Sequence, residues 1–170
     1  NVNKNMYATF STILEKETPI KGSIGFVSQS GAFGSHVFTL ARQNQIGFSY
    51  FIATGNESDV DVADCIAYLA EDSETEVIAC YIEGANDGEK LIDAFKLATK
   101  NNKPVVALKV GKTDVGKQAA LSHTGSLAGS DDVYDAIFEQ YGVYRAETIE
   151  EFLDVAYACT ELPIPKSNRV

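Results

Sequence analysis

A chain of 170 residues is the size of one domain and can bury a core without disulfides or metals. Its composition, 45% hydrophobic and 22% charged, excludes the disordered and fibrous classes. A formal net charge of -10 sets up a field that repels nucleic-acid backbones and anionic membrane surfaces, although a small phosphate can still bind locally.

The chain opens with a lead-in over residues 1–21 that has little periodicity and closes on Thr18-Pro19-Ile20-Lys21-Gly22. Ser23 to Ser28 is a short apolar run ending in a turn, the pattern of a strand buried on both faces. After Gln29-Ser30-Gly31-Ala32 comes a helix with Phe33, Val37, Leu40 and Ala41 at helical spacing, ended by Gly47. The unit then repeats. Phe48 to Ala53 predicts a strand, Thr54 to Asp59 a loop, and about Val60 to Glu71 a helix with Ala63, Ile66, Leu69 and Ala70 inward. Val77 to Ile82 predicts the third strand, followed by the turn Glu83 to Asp87 and a helix with Leu91, Phe95 and Ala98 on one stripe. Val105 to Val110 predicts the fourth strand, and Gly111 to Ser130 is the longest irregular stretch. A helix over Asp131 to Tyr141, a strand over Val143 to Arg145 and a helix over Ile149 to Thr160 complete the pattern.

Alternating strands and helices with short connections predict an α/β fold: a three-layer, doubly wound parallel five-stranded sheet in the flavodoxin-like order 2-1-3-4-5. Ligands of such sheets bind beyond the carboxyl ends of the strands, near the switch point. Cys65, Cys80 and Cys159 are odd in number and sit in apolar patterns, so they read as reduced core thiols rather than disulfides or metal ligands. No apolar run approaches the roughly 20 residues of a membrane helix and no signal pattern precedes the first strand, which leads to an expected cytoplasmic location. The first residue is not Met and Pro163 to Val170 has linker character, so we expect a piece of a longer polypeptide.

Four strand-end loops carry candidate chemistry. Ser28-Gln29-Ser30-Gly31-Ala32 hands a strand to a helix, so backbone N–H groups and the helix dipole converge there as an anion site. Ser28 and Ser30 add hydroxyls, while Ser30 also suits a simple N-cap. Glu83 follows the third strand, where its carboxylate is either a solvated turn acid or a group that holds one imidazole nitrogen's proton and frees the other. His123 lies among small residues, Ser122-His123-Thr124-Gly125-Ser126-Leu127-Ala128-Gly129. This is the setting of a mobile nucleophile and equally of an ordinary loop histidine. Asn56 and Asp59 occupy the remaining loop as potential ligand donors. Lys109, Lys112 and Lys117 border the Gly-rich stretch, but Gln118 follows Lys117, so no nucleotide P-loop is present. His36 falls on the polar side of the first helix and is read as a surface residue.

Gly25-Phe26-Val27-Ser28-Gln29-Ser30-Gly31-Ala32, Thr54-Gly55-Asn56, Tyr81-Ile82-Glu83-Gly84, Lys109-Val110-Gly111-Lys112 and Ser122 to Gly129, in this order, resemble the NDP-forming acyl-CoA synthetases, relatives of the succinyl-CoA synthetase alpha subunit. The resemblance implies a flavodoxin-like ligase domain over 22–162, with residues 1–21 leading in from a CoA-binding domain and 163–170 linking to a following domain. It implies a relay in which acyl-CoA and phosphate give an acyl phosphate, whose phosphoryl group passes to His123 and is carried to ADP or GDP. Under this resemblance His123 matches the carrier, Glu83 the supporting acid, and Ser28, Ser30, Gly31 and Ala32 the phosphate turn, with Asn56, Gly125 and Lys112 as further substrate or loop residues. No metal site is implied in this domain, and CoA, ATP or ADP and Mg2+ are implied on other domains. The implied partners are a CoA-binding domain, a second flavodoxin-like domain and an ATP-grasp domain or subunit, so the isolated domain is expected not to turn over. Relatives fused to acetyltransferases offer a second reading, a non-catalytic module that senses acyl-CoA or phosphate. An FMN-binding electron carrier would follow from fold analogy alone.

Overall fold

In a computed structural model the described residues are 1–9, 18–111 and 130–163. The strands are β1 (Lys21–Ser28), β2 (Phe48–Ala53), β3 (Val77–Ile82), β4 (Val105–Lys109) and β5 (Val143–Arg145). The helices are α1 (Gly31–Gln43), α2 (Val62–Glu71), α3 (Gly88–Lys100), α4 (Asp131–Tyr141) and α5 (Ile149–Glu161). All strand pairings are parallel and the order is β2-β1-β3-β4-β5, as the strand–helix alternation predicts. No helix among the described residues is long and apolar enough to cross a membrane.

The central strands read as continuous apolar runs because both of their faces are covered. Successive residues go to opposite clusters. Ile78, Cys80 and Ile82 of β3 join Ile66, Leu69, Leu91, Phe95 and Phe138, so α2, α3 and α4 cover one face. Val77, Ala79 and Tyr81 join Phe26, Val37, Ala41, Phe152 and Ala156, so α1 and α5 cover the other.

Several boundaries move by one to a few residues from the sequence expectation, those of β1 and α2 for a local reason. β1 starts at Lys21 rather than Ser23, since Lys21 pairs with Phe48 and the Phe48 N–H donates to Ile20 O at 2.9 Å. The crossing there admits only glycine: a Cβ on Gly47 would stand 2.2 Å from Lys21 O, and one on Gly22 2.5 Å from the Gly47 backbone. α2 starts at Val62 rather than about Val60, because Asp61 takes the N-cap. Its carboxylate accepts the Asp64 N–H at 2.8 Å and the Asp64 carboxylate accepts the Asp61 N–H at 3.1 Å, closing a capping box. β4 ends at Lys109, one residue short of Val110.

The first residues pack against the sheet instead of trailing from it. Val2 is 2% exposed, and its N–H donates to Ser49 O of β2 at 2.8 Å. Cys65 and Cys80 are buried core thiols as expected, whereas Cys159 on α5 is only half-buried.

Candidate functional site

β1 sits between β2 and β3, so the chain reverses direction across the sheet at the β1/β3 boundary. The carboxyl ends of these two strands therefore open a crevice at the switch point. The structure brings the turn 28–32, the loop 54–59 and the loop 83–87 to this edge. Thr54 N–H donates to Ser28 O at 3.0 Å, and Gln29 N–H donates to Tyr81 O at 3.3 Å.

Within the first turn the two serines have different duties. Ser28 is fully buried; its hydroxyl donates to Ser30 O at 2.8 Å and accepts the Ser30 N–H at 3.1 Å, so it shapes the turn. Ser30 is the N-cap of α1, its Oγ accepting the Phe33 N–H at 3.3 Å, which leaves its hydroxyl proton free to donate. The N–H groups of Gly31 and Ala32 have no partner among the described residues, and both residues are exposed. A Cβ at Gly31 would meet open space, so packing by the described residues does not call for glycine there. Electrostatics single out the same helix end. α2, α3, α4 and α5 each carry acids in their first turn, while α1 carries none. No acid in its own first turn offsets its positive dipole end, which suits an anion.

Glu83 stands across the crevice on the β3–α3 loop, partly exposed, with its backbone held by two residues of the other motifs to which the sequence assigned no such role. The Gln29 side chain, 9% exposed, accepts the N–H groups of Glu83 at 2.5 Å and Gly84 at 3.2 Å and donates to Gly84 O at 2.9 Å. Lys109 donates to Glu83 O at 3.0 Å and to Val110 O, and its ammonium lies 4.6 Å from the centroid of the Tyr134 ring. Burial holds the Lys109 pKa below the usual lysine value, against the pull of Asp131. Lys109 is thus an internal tie between β4 and the β3–α3 loop. Gly111 next to it has φ +98°, a conformation that favours glycine, and a Cβ there would sit 3.6 Å from Lys109 Nζ.

Tyr81 completes the crevice floor. Its ring stacks on Phe33 at 4.0 Å between centroids, seating the first turn of α1 on the end of β3. Burial, with the charge and hydrogen bonding of Glu83 added, pushes its hydroxyl up to about 12, so it remains protonated. Beyond β4, Arg145 pairs with Asp131 at 2.6 Å and Asp135 at 2.5 Å, tying β5 to the start of α4.

Asn56 and Asp59 are exposed and border a recess of about 400 Å³ with Ile52, Thr54, Val60 and Cys65. Glu57 closes this loop, accepting from Thr54 Oγ1 at 3.1 Å and Val62 N–H at 2.8 Å. His36 is exposed on α1, as its polar helical position predicts. Lys112, His123 and Gly125 lie outside the described residues, as do Lys117 and most of the 163–170 stretch.

Sequence reasoning named Gln29, Tyr81 and Lys109 within its motifs but did not find their structural roles. The usable signals were a lysine inside an otherwise apolar strand and a glutamine at the end of another, since long polar side chains are rarely buried without partners.

A family model described as the succinyl-CoA ligase like flavodoxin domain matches residues 21–159. The whole chain is 49% identical to the alpha subunit of the ADP-forming acetate–CoA ligase II of Pyrococcus furiosus, covering 36% of that protein. It is 42% identical over 159 residues to a 4-hydroxybutyrate–CoA ligase (ADP-forming) of Nitrosopumilus maritimus, covering 93% of this chain and 23% of that protein. Among solved structures, the dinucleotide-forming acetyl-coenzyme A synthetase 1 of Ca. Korarchaeum cryptofilum, in complex with phosphate and ADP, superposes with a TM-score of 0.81. The identity there is 36%, over 88% of this chain and 32% of that one. The chain thus spans about a third or less of the length of these relatives.

Proposed function

The chain belongs to the succinyl-CoA ligase like flavodoxin domain family, and from this premise we propose that it is the phosphoryl-handling domain of an ADP-forming acyl-CoA synthetase. The observation that carries the reading is that, among the described residues, the N–H groups of Gly31 and Ala32 have no partner and α1 is the one helix without acids in its first turn, at the sheet edge that also bears Glu83. Relatives named as ligases support this reading over a regulatory module.

In the proposed reaction, phosphate displaces CoA from the acyl thioester: a P–O–C bond forms, the C–S bond breaks, and CoA leaves as the thiol. An unprotonated imidazole nitrogen of His123 then attacks phosphorus, forming P–N as P–O breaks, and the carboxylate leaves. The Gly31 and Ala32 amides, the Ser30 hydroxyl and the α1 dipole hold the phosphoryl oxygens, offsetting charge where it accumulates. The Glu83 carboxylate accepts a hydrogen bond from the N–H of the other imidazole nitrogen and stabilises the positive ring as it forms. His123 afterwards delivers the phosphoryl group to ADP on an ATP-grasp partner, which together with a CoA-binding segment supplies the nucleotide, Mg2+ and CoA contacts. The Asn56 recess, with Gly125 and Lys112 in the carrier stretch, is assigned to substrate and loop contacts. Relatives named for acetate and for 4-hydroxybutyrate match this chain alike, so the match does not by itself select an acyl group.

The test uses the synthetase assembled with its remaining segments. Radiolabelled phosphate plus acetyl-CoA, without nucleotide, should give an acid-labile, base-stable protein label, and radiolabelled ATP alone should give the same label. His123→Asn should abolish both; labelling that persists refutes the carrier assignment.

A further inference from the structure

The peptide groups of Glu83 are gripped from both neighbouring strand ends. Gln29 Oε1 takes the Glu83 and Gly84 N–H groups while Nε2 donates to Gly84 O. Those partners fix the amide orientation, because the opposite one would set its NH2 against two N–H donors. From the β4 side, Lys109 Nζ donates to Glu83 O and packs over the Tyr134 ring. Burying an ammonium and a carboxamide is unfavourable unless their hydrogen bonds are made, and here they are.

The start of α3 does not require this grip. Asp87 already caps that helix, accepting the Lys90 N–H at 3.0 Å, and Lys90 ties it to Asp61 at 2.9 Å and Asp64 at 2.7 Å. What both side chains hold, among the described residues, is the backbone of Glu83, with Gln29 extending the grip to Gly84. Gln29 also belongs to the turn that presents the Gly31 and Ala32 amides, so one side chain joins the two walls of the crevice across the β1/β3 boundary.

We propose that Gln29 and Lys109 are positioning residues that hold the Glu83 carboxylate in register with the anion-binding end of α1, making the two strand-end loops a single unit. The proposal rests on the role given above to Glu83. Its consequence is asymmetric: loss of the clamp impairs the transfer that uses Glu83 and spares the transfer from nucleotide, which takes place at the other end of the His123 journey.

The experiment measures single-turnover labelling of the full synthetase from radiolabelled phosphate plus acetyl-CoA, and separately from radiolabelled ATP. It compares wild type, Gln29→Met, Lys109→Met, Glu83→Gln and the Gln29→Met/Glu83→Gln double variant. Misplacing a reacting group by about 1 Å costs on the order of 10²-fold, so Gln29→Met should slow the phosphate arm by about that factor and leave the ATP arm within about twofold. Lys109→Met should show the same asymmetry, and the double variant should be no slower than Glu83→Gln alone. Wild-type labelling by both clamp variants overturns the proposal, as does equal loss in both arms or a double-variant loss equal to the product of the single losses. A Glu83→Gln enzyme with wild-type labelling overturns the role of Glu83 and the clamp together. Clamp variants with wild-type labelling beside an impaired Glu83→Gln enzyme overturn the clamp alone.

Discussion

Phe26→Ala tests whether the aromatic seat beneath α1 is as important as its geometry implies. Phe26 is fully buried on β1, with ring centroids at 4.4 Å from Phe51, 6.0 Å from Phe48 and 6.2 Å from Phe152. Truncating a buried Phe to Ala costs about 3–5 kcal/mol, and aromatic pairs contribute about 0.5–1.5 kcal/mol beyond area, so three ring contacts place this site at about 4–5 kcal/mol. Set against a typical domain stability of about 5–15 kcal/mol, that is a large fraction of the total. Phe26→Leu keeps most of the volume and should lose only about 1–2 kcal/mol. Urea unfolding of the 170-residue chain followed by circular dichroism would give both values, with the slope unchanged if the native surface is preserved. The melting temperature of Phe26→Ala should fall by about 8–20 °C. The same cluster reaches α1, since a Cβ on Gly34 would stand 3.4 Å from the Phe51 ring and 3.7 Å from that of Phe26. A Phe26→Ala loss below about 1 kcal/mol, or equal losses for Ala and Leu, would show that the cavity and ring-pair reasoning does not hold at this site.

The cysteines should separate by burial: in folded protein near neutral pH a thiol reagent should modify half-buried Cys159 first, while Cys80 should react only on unfolding. Burial raises all three thiols, Cys65 to about 11, and rapid Cys80 modification under native conditions would contradict the sheet placement. Asp64 offers an acid-side test, because its hydrogen bond to Lys90 holds its carboxyl below the ordinary value of 3.8. A depressed folded-state pKa contributes stability that is present above the unfolded value and lost as pH falls through the folded value. The urea midpoint difference between wild type and Asp64→Asn should therefore be small but positive above the ordinary carboxylate range and close towards zero as the pH falls through the depressed folded-state value. A difference that is constant with pH would remove the charge from the explanation.

The fold was legible in the sequence to within a few residues at each boundary. Runs such as Val77 to Ile82, bounded by polar turns, announce strands covered on both sides, and five of them alternating with helices leave few topologies. The boundaries that moved, at Lys21 and Val62, did so because strand pairing with Phe48 and the Asp61–Asp64 capping box are made by specific partners that periodicity does not register. Of the candidate site, the placement of the Ser30-Gly31-Ala32 turn and Glu83 at one sheet edge could be read from position after a strand, since strand-end loops of such sheets lie on one edge. Ser28 could not be assigned from residue type, because the same hydroxyl either faces a ligand or closes a turn, and here it closes the turn.

What the sequence determined by itself was the alternation of elements, the strand order they imply and the meeting of the loops after β1, β2 and β3 at one edge, all of which follow from burial periodicity along the chain. What only the tertiary structure decided was pairing at a distance. Gln29 meets Glu83 across 54 positions and Lys109 meets it across 26, because β1 and β4 lie on either side of β3. A polar side chain records in its own sequence neighbourhood only that it is polar. Which backbone group satisfies it is fixed by the strands that packing sets beside it.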